Sequence, residues 1–109
     1  MIRVIKRNTA VTAIMDGEID HCCAGVYKDR IDDAIMDAGV RELRLDLSRV
    51  TFMDSSGVGM MIGRYRTMAQ RGGRVVATGM NQQIERLFRF AGLHRIIALE
   101  KEGGEDANE

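Results

Sequence analysis

The sequence predicts a single α/β domain, a mixed β-sheet of four to five strands flanked by three to four α-helices. Three observations carry that expectation. Short β-rich segments alternate with amphipathic helical segments, glycines stand at the boundaries, and 109 residues leave room for one core and no second. A chain of this length buries roughly two-thirds of its unfolded surface, so no metal or disulfide scaffold is required. The 45% hydrophobic content agrees with that.

Residues 2–6 and 10–15 are β-rich, and Arg7-Asn8-Thr9 between them reads as a hairpin. Asp20 stands where a helix N-cap belongs. After it Ala24, Tyr27, Ile31, Ala34, Ile35 and Ala38 recur at helical spacing, and Gly39 supplies a stop. Gly25 weakens the first turn, since glycine inside a helix costs about 1 kcal/mol relative to alanine. Leu43, Leu45 and Leu47 alternate with Glu42, Arg44 and Asp46, the pattern of a strand with one buried face.

The strongest helix follows, from Asp54 to about Arg71. Its predicted buried stripe is Val58, Met61, Ile62, Tyr65, Met68 and Ala69. Gly72-Gly73 ends it, and Arg74 to Thr78 reads as a strand. Asn81 is placed to cap a third helix with Ile84, Leu87, Phe88 and Ala91 inward and Gly92 at its end. Arg95 to Leu99 is a last short strand. Residues 1–100 therefore form the domain. Residues 101–109 are acidic, contain glycine and lack an apolar face, so they are expected to fray.

Composition narrows the function. No apolar run approaches the ~20 residues that span a bilayer, and the N-terminus carries charges where a signal peptide is apolar. A soluble, cytoplasmic protein without a membrane partner is expected. Sixteen basic and sixteen acidic residues cancel, so bulk attraction to nucleic acid is not expected. Charge is uneven, with residues 16–54 at −5 and residues 64–95 at +6. The arginines of the second stretch are scattered over several elements without interleaved aromatics, which argues against direct nucleic-acid binding.

The adjacent Cys22 and Cys23 can bridge only through a strained ring, so two reduced, inert thiols are expected. Asp20-His21-Cys22-Cys23 resembles a metal motif. Successive helical side chains diverge by about 100°, however, and cannot converge on one ion, so no metal is expected.

The informative stretch is residues 46–66, DLSRVTFMDSSGVGMMIGRYR. It joins a buried strand to the strongest helix through Asp54-Ser55-Ser56-Gly57. With Asp54 as cap, Ser55 and Ser56 fall in the first turn, where unpaired N–H groups and the positive end of the helix dipole meet. A helix start accommodates a phosphate, and Gly57 offers no side chain to obstruct approach. Asp-Ser-Ser-Gly is also ordinary capping chemistry, and spacing alone leaves both readings open.

Gly57, Gly59 and Gly63 are spaced one residue too far for a dinucleotide fingerprint, and no lysine follows as in a phosphate loop. Neither His21 nor His94 can be assigned as a base for Ser55, so no enzyme and no cofactor are expected. Met60 lies opposite the Met61/Ile62 stripe with Gly59 and Gly63 on its side. That face is either a site of close backbone packing or a smooth docking surface continuing from Ser55.

The run FMDSSGVGMMIGRYR, with GEIDH at 17–21 and IERLFRFAGLHRII at 84–97, resembles the sporulation stage II anti-sigma factor antagonists. These belong to the domain family shared by sulfate transporters and anti-sigma factor antagonists, abbreviated STAS. The resemblance spans Ile2 to Leu99 and implies a single STAS-like domain. By that resemblance Ser55, the first serine of Asp-Ser-Ser-Gly, is the phosphorylation site, with Ser56 the alternative. The implied partner-binding residues are Asp20, Asp54, Ser55, Ser56, Gly57, Gly59 and Met60.

The implied partners are an anti-sigma factor that is also a serine kinase, holding ATP or ADP, and a serine phosphatase. The implied role is to release a sigma factor for sporulation transcription; a docking or ligand-binding module in a stress circuit is the alternative. A monomer is expected when free. Relatives tend to place another His and a Thr where this chain has Cys22 and Cys23, and to close with a C-terminal helix that the glycine-acidic tail here argues against.

Overall fold

A computed structural model describes residues 1–100. The expectations for 101–109, fraying and the loss of a closing helix, lie outside the described residues. The elements are β1 (Ile2–Arg7), β2 (Ala10–Ile19), α1 (Ala24–Ala34), β3 (Glu42–Met53), α2 (Ser55–Gln70), β4 (Arg74–Thr78), α3 (Gln82–Phe90), a 3-10 turn (Leu93–Arg95) and β5 (Ala98–Glu100). The five strands form one sheet in chain order; β1 and β2 are antiparallel and every later pair is parallel. The predicted mixed α/β sheet is what the chain builds.

Local chemistry explains the first pairing. Arg7 pairs with Ala10 across Asn8 and Thr9, and Asn8 takes φ +58°, a left-handed conformation that asparagine tolerates. From β2 onward each strand returns through a helix to its next neighbour. Right-handed crossovers that all advance in one direction stack their helices on one face. The register agrees, since Val11, Leu43 and Val75 lie in one row and Ala13, Leu45 and Ala77 in the next, all fully or almost fully buried. The opposite face carries Thr12, Arg44 and Asp46, half-buried. There Arg44 bonds Glu42 at 2.8 Å and Glu100 at 2.5 Å, and Arg74 reaches Glu42 at 3.2 Å, clamping β3, β4 and β5 together.

Four expectations are corrected. β2 runs to Ile19 and β3 to Met53, well past 15 and 47, because their far ends pair with each other: Asp16 with Arg49, Gly17 with Val50, Ile19 with Met53. Register shifts at Ile14/Asp16 and Gly17/Glu18 break the alternation that would betray a strand in sequence. α1 begins at Ala24 and ends at Ala34; Met36 and Ala38 are exposed. The last strand is Ala98–Glu100, since Gly92 turns left-handed (φ +79°) and Arg95 falls in the 3-10 turn behind it.

The fourth correction is the face of α2. Its buried residues are Gly57, Met60, Met61, Arg64 and Met68, whereas Val58, Ile62 and Tyr65 are half-buried and Ala69 is exposed. The helix is covered on two sides, by the sheet and by α1, which rotates the buried arc away from the stripe of largest apolar side chains.

Candidate functional site

Two strand-to-helix loops meet at one edge of the sheet. β2 and β3 are parallel neighbours that end together, with Ile19 opposite Met53 and the Asp54 N–H donating to the Ile19 carbonyl at 3.4 Å. The residues that follow, Asp20 and Asp54, therefore leave the sheet side by side at the carboxyl ends of its strands, where open α/β sheets present their binding residues.

Asp54 is the N-cap of α2. Its backbone is extended (φ −113°, ψ −168°), its Oδ1 accepts from the Ser56 N–H at 2.8 Å, and its carbonyl accepts from the Gly57 and Val58 N–H groups at 3.0 and 3.3 Å. The carboxylate sits at the positive end of a 16-residue helix, where the dipole favours it. Ser55, the first helical residue, is exposed; Ser56 is half-buried. The capping reading therefore holds for Asp54, and it leaves the Ser55 side chain out in solvent.

Asp20 is not the N-cap expected from the sequence, because a turn over residues 20–23 separates it from the first residue of α1, Ala24, and its side chain bonds that turn instead. Its Oδ1 accepts from the Cys22 and Cys23 N–H groups at 3.0 and 3.1 Å, and its carbonyl accepts from Cys23 and Ala24. It organises the turn ahead of α1, whose N-cap is Cys23. Desolvation pushes the Asp20 carboxyl up, but the hydrogen bonds from Cys23 and Cys22 outweigh it and hold the group below the ordinary carboxylate range. Burial, and then the Asp20 carboxylate, push the Cys23 thiol up, which keeps it protonated and poorly nucleophilic. Cys22 is exposed.

The remaining sequence-assigned residues divide. Gly57 is buried, and a Cβ there would lie 2.5 Å from Met53 Cγ and 3.1 Å from Ile19 Cγ2. It faces inward; its missing side chain lets α2 start hard against the ends of β2 and β3 instead of opening a path to Ser55. Met60 is 5% exposed and belongs to the core, so the face beside Gly59 and Gly63 does not present an exposed methionine. Close packing at Gly59 and Gly63 is corrected as well, since a Cβ at either would meet nothing within 4 Å. Gly59 is exposed.

Sequence reasoning missed Arg64. Its side chain is 8% exposed, with Nε 3.1 Å from Asp32 Oδ1 on α1. Periodicity discounts an arginine at a core position, and only its spacing from Met60, Met61 and Met68 hinted at burial. Among the described residues, no three His, Cys, Asp or Glu side chains gather within metal-binding reach, and no helix is long and apolar enough to cross a membrane.

A five-stranded mixed sheet whose parallel crossovers are helical, with an exposed serine directly after the Asp54 cap of α2, defines a single α/β domain with an accessible helix start. The STAS domain family matches residues 1–105, and the chain belongs to it. An anti-sigma F factor antagonist of Paenibacillus polymyxa is 33% identical over 85 residues, covering 78% of this chain and 73% of the relative. An anti-sigma-B factor antagonist of Listeria monocytogenes is 32% identical over 105 residues, covering 95% and 91%. The anti-sigma factor antagonist SpoIIAA in its unphosphorylated form superposes with TM-score 0.77 at 25% identity, covering 98% of this chain and 94% of that one. The Bacillus SpoIIAA in its phosphorylated form gives 0.75 at 28% identity, covering 98% and 96%.

Proposed function

We propose that this chain is an anti-sigma factor antagonist whose docking surface is the start of α2 and whose switch is phosphorylation of Ser55. The observation that carries the reading is the exposed Ser55 side chain at the tip of α2, directly after the capping carboxylate Asp54 and on the loop that leaves the sheet beside the Asp20 turn. Similarity to antagonists along most of their length supports it. That SpoIIAA has been solved with and without phosphate supports a modification that leaves the architecture intact.

In the unmodified state the Ser55 surface docks on the anti-sigma factor and frees a sigma factor for transcription. The anti-sigma factor, acting as a serine kinase with bound ATP, transfers phosphate to Ser55; a serine phosphatase removes it. Phosphate adds about −1.5 to −2 charges. The helix dipole favours an anion at this end by about 0.3–1 kcal/mol, so the fold tolerates it. At a closed interface the same charge, added beside two carboxylates, lacks a partner and costs several kcal/mol. Binding is lost while folding is kept.

Relatives that act on anti-sigma F and on anti-sigma-B factors are similarly distant. Sporulation control is our reading of the circuit, and stress control is the second, favoured by the more extensive match to the anti-sigma-B antagonist. The test incubates the chain with the anti-sigma factors of its own genome and ATP and locates phosphate by mass spectrometry. Modification of Ser55 is expected. Ser55→Ala should bind persistently and Ser55→Asp poorly; equal affinities would remove the charge mechanism, and phosphate on Ser56 alone would move the acceptor.

A further inference from the structure

Between α1 and α2, immediately below the Ser55 turn, runs a groove of about 290 Å³. Gly25 on one wall and Gly59 and Gly63 on the other leave it open, since a Cβ at any of the three would meet nothing within 4 Å. Ser56 stands at its upper end; Lys28 and Arg64 line it further down. Ser56, Met60 and Gly63 follow one helical face, so the groove continues from the switch turn along α2.

Its electrostatics are unbalanced. Arg64 is more than nine-tenths buried, and neither its Nε nor its Nη1 has a hydrogen-bond acceptor among the described residues. Nε lies 3.1 Å from Asp32 Oδ1, close enough for charge attraction but not aligned for a hydrogen bond. The other oxygen of Asp32 accepts from Lys28 Nζ at 3.2 Å. Asp29, 3.9 Å from the same Nζ, is largely exposed. Two cations thus share one half-buried carboxylate, and guanidinium donors remain unmatched beneath the groove. Leaving buried charged donors unmatched is costly enough that such groups in folded proteins normally find an acceptor.

We propose that this groove is a carboxylate subsite of the docking surface, and that an Asp or Glu side chain of the anti-sigma factor enters it between α1 and α2. The inference rests on the reading of the chain as an anti-sigma factor antagonist and adds the partner's chemistry at a second point of that surface. The incoming carboxylate accepts from Lys28 at the rim and from Arg64 on the floor. Arg64 turns toward the groove to meet it, and the acceptor gained offsets that motion. A carboxylate suits the site because it can take two guanidinium donors at once. The glycines supply the space that an inserted side chain needs.

The experiment measures affinity of the full chain for its purified anti-sigma factor by calorimetry, at low and moderate salt. The variants are Lys28→Glu and Gly63→Leu, with Ser55→Asp as reference and thermal melting as a fold control. Lys28→Glu and Gly63→Leu should each weaken binding about tenfold or more, with Lys28→Glu also flattening the salt dependence. Acidic residues of the partner are changed to their amides in turn, each paired with Lys28→Met. One pair should be non-additive, identifying the inserted carboxylate.

If Lys28→Glu and Gly63→Leu bind as the wild type does while Ser55→Asp does not, the groove is not a subsite and the Ser55 reading stands. If all partner amides are additive with Lys28→Met, the carboxylate is refuted. If the wild-type chain binds no anti-sigma factor, the parent reading falls and the subsite with it. Should Gly63→Leu fail to fold, Gly63→Ala and Lys28→Glu decide on the same terms.

Discussion

Placing alanine at two glycines of α2, two residues apart, should move stability in opposite directions. At Gly57 the new methyl would lie 2.5 Å from Met53 Cγ, 3.0 Å from Met53 Sδ and 3.1 Å from Ile19 Cγ2. Carbon atoms pack best at about 3.5–4.0 Å, so the first contact is about 1 Å too close. Met53 is 6% exposed and Ile19 is fully buried, which leaves little space to retreat into. Overpacking of this kind costs about 1–3 kcal/mol, against a helix-propensity gain below about 1 kcal/mol. At Gly59 the same methyl meets nothing within 4 Å; restricting the unfolded chain then stabilises by about 0.4–1 kcal/mol. The two variants should differ by about 2 kcal/mol. In a domain of this size that is a Tm gap of about 8–16 °C. Urea unfolding with constant m-values and thermal melting read it directly. A Gly57→Ala protein as stable as Gly59→Ala would refute the account of why α2 sits where it does.

Asp54→Ala removes the acceptor of the Ser56 N–H and should cost about 1 kcal/mol in urea unfolding, whereas Asp54→Asn keeps most of it. Asp20, held below the usual carboxylate range, contributes stability that is present above its unfolded pKa of about 3.9 and is lost as pH falls through its lower folded value. The advantage of wild type over Asp20→Asn should therefore be full at pH 7 and vanish in strong acid; a gap independent of pH would show that the charge is irrelevant. Asp32→Ala leaves the Arg64 guanidinium without its counter-ion. Because Asp32 is partly exposed, the cost should be about 1–3 kcal/mol, below that of a fully buried pair. Arg64→Met, which removes the buried charge altogether, should be less destabilising than Asp32→Ala in the same assay.

The features that sequence reveals here are those whose causes lie within a turn or two of chain. Asp54 and Asn81 were legible as caps because an acceptor at an N-cap bonds the amide two or three residues on, as both do: Asp54 to Ser56 and Asn81 to Ile84. Asn8 betrayed the hairpin by another local property, its tolerance of the left-handed backbone (φ +58°) that the turn requires. Leu43, Leu45 and Leu47 showed their strand because a one-sided sheet writes period two into the sequence. The far halves of β2 and β3 did not show, since Gly17 at φ +85° and two register shifts erase that period. Their pairing is fixed by each other and not by their own residues.

The amino-acid sequence by itself determined the α/β class, the order of its elements and the serine at the start of α2, because propensity, capping and periodicity act locally along the chain. Tertiary structure decided which face of that helix is buried. It put Gly57 and Met60 into the packing around α2, and it drew Arg64 inside beside Asp32. The physical reason is that burial is set by what a residue meets across the molecule. α2 meets the sheet on one side and α1 on the other, surfaces assembled from residues as distant in sequence as Asp32 is from Arg64, and no window along α2 alone contains them.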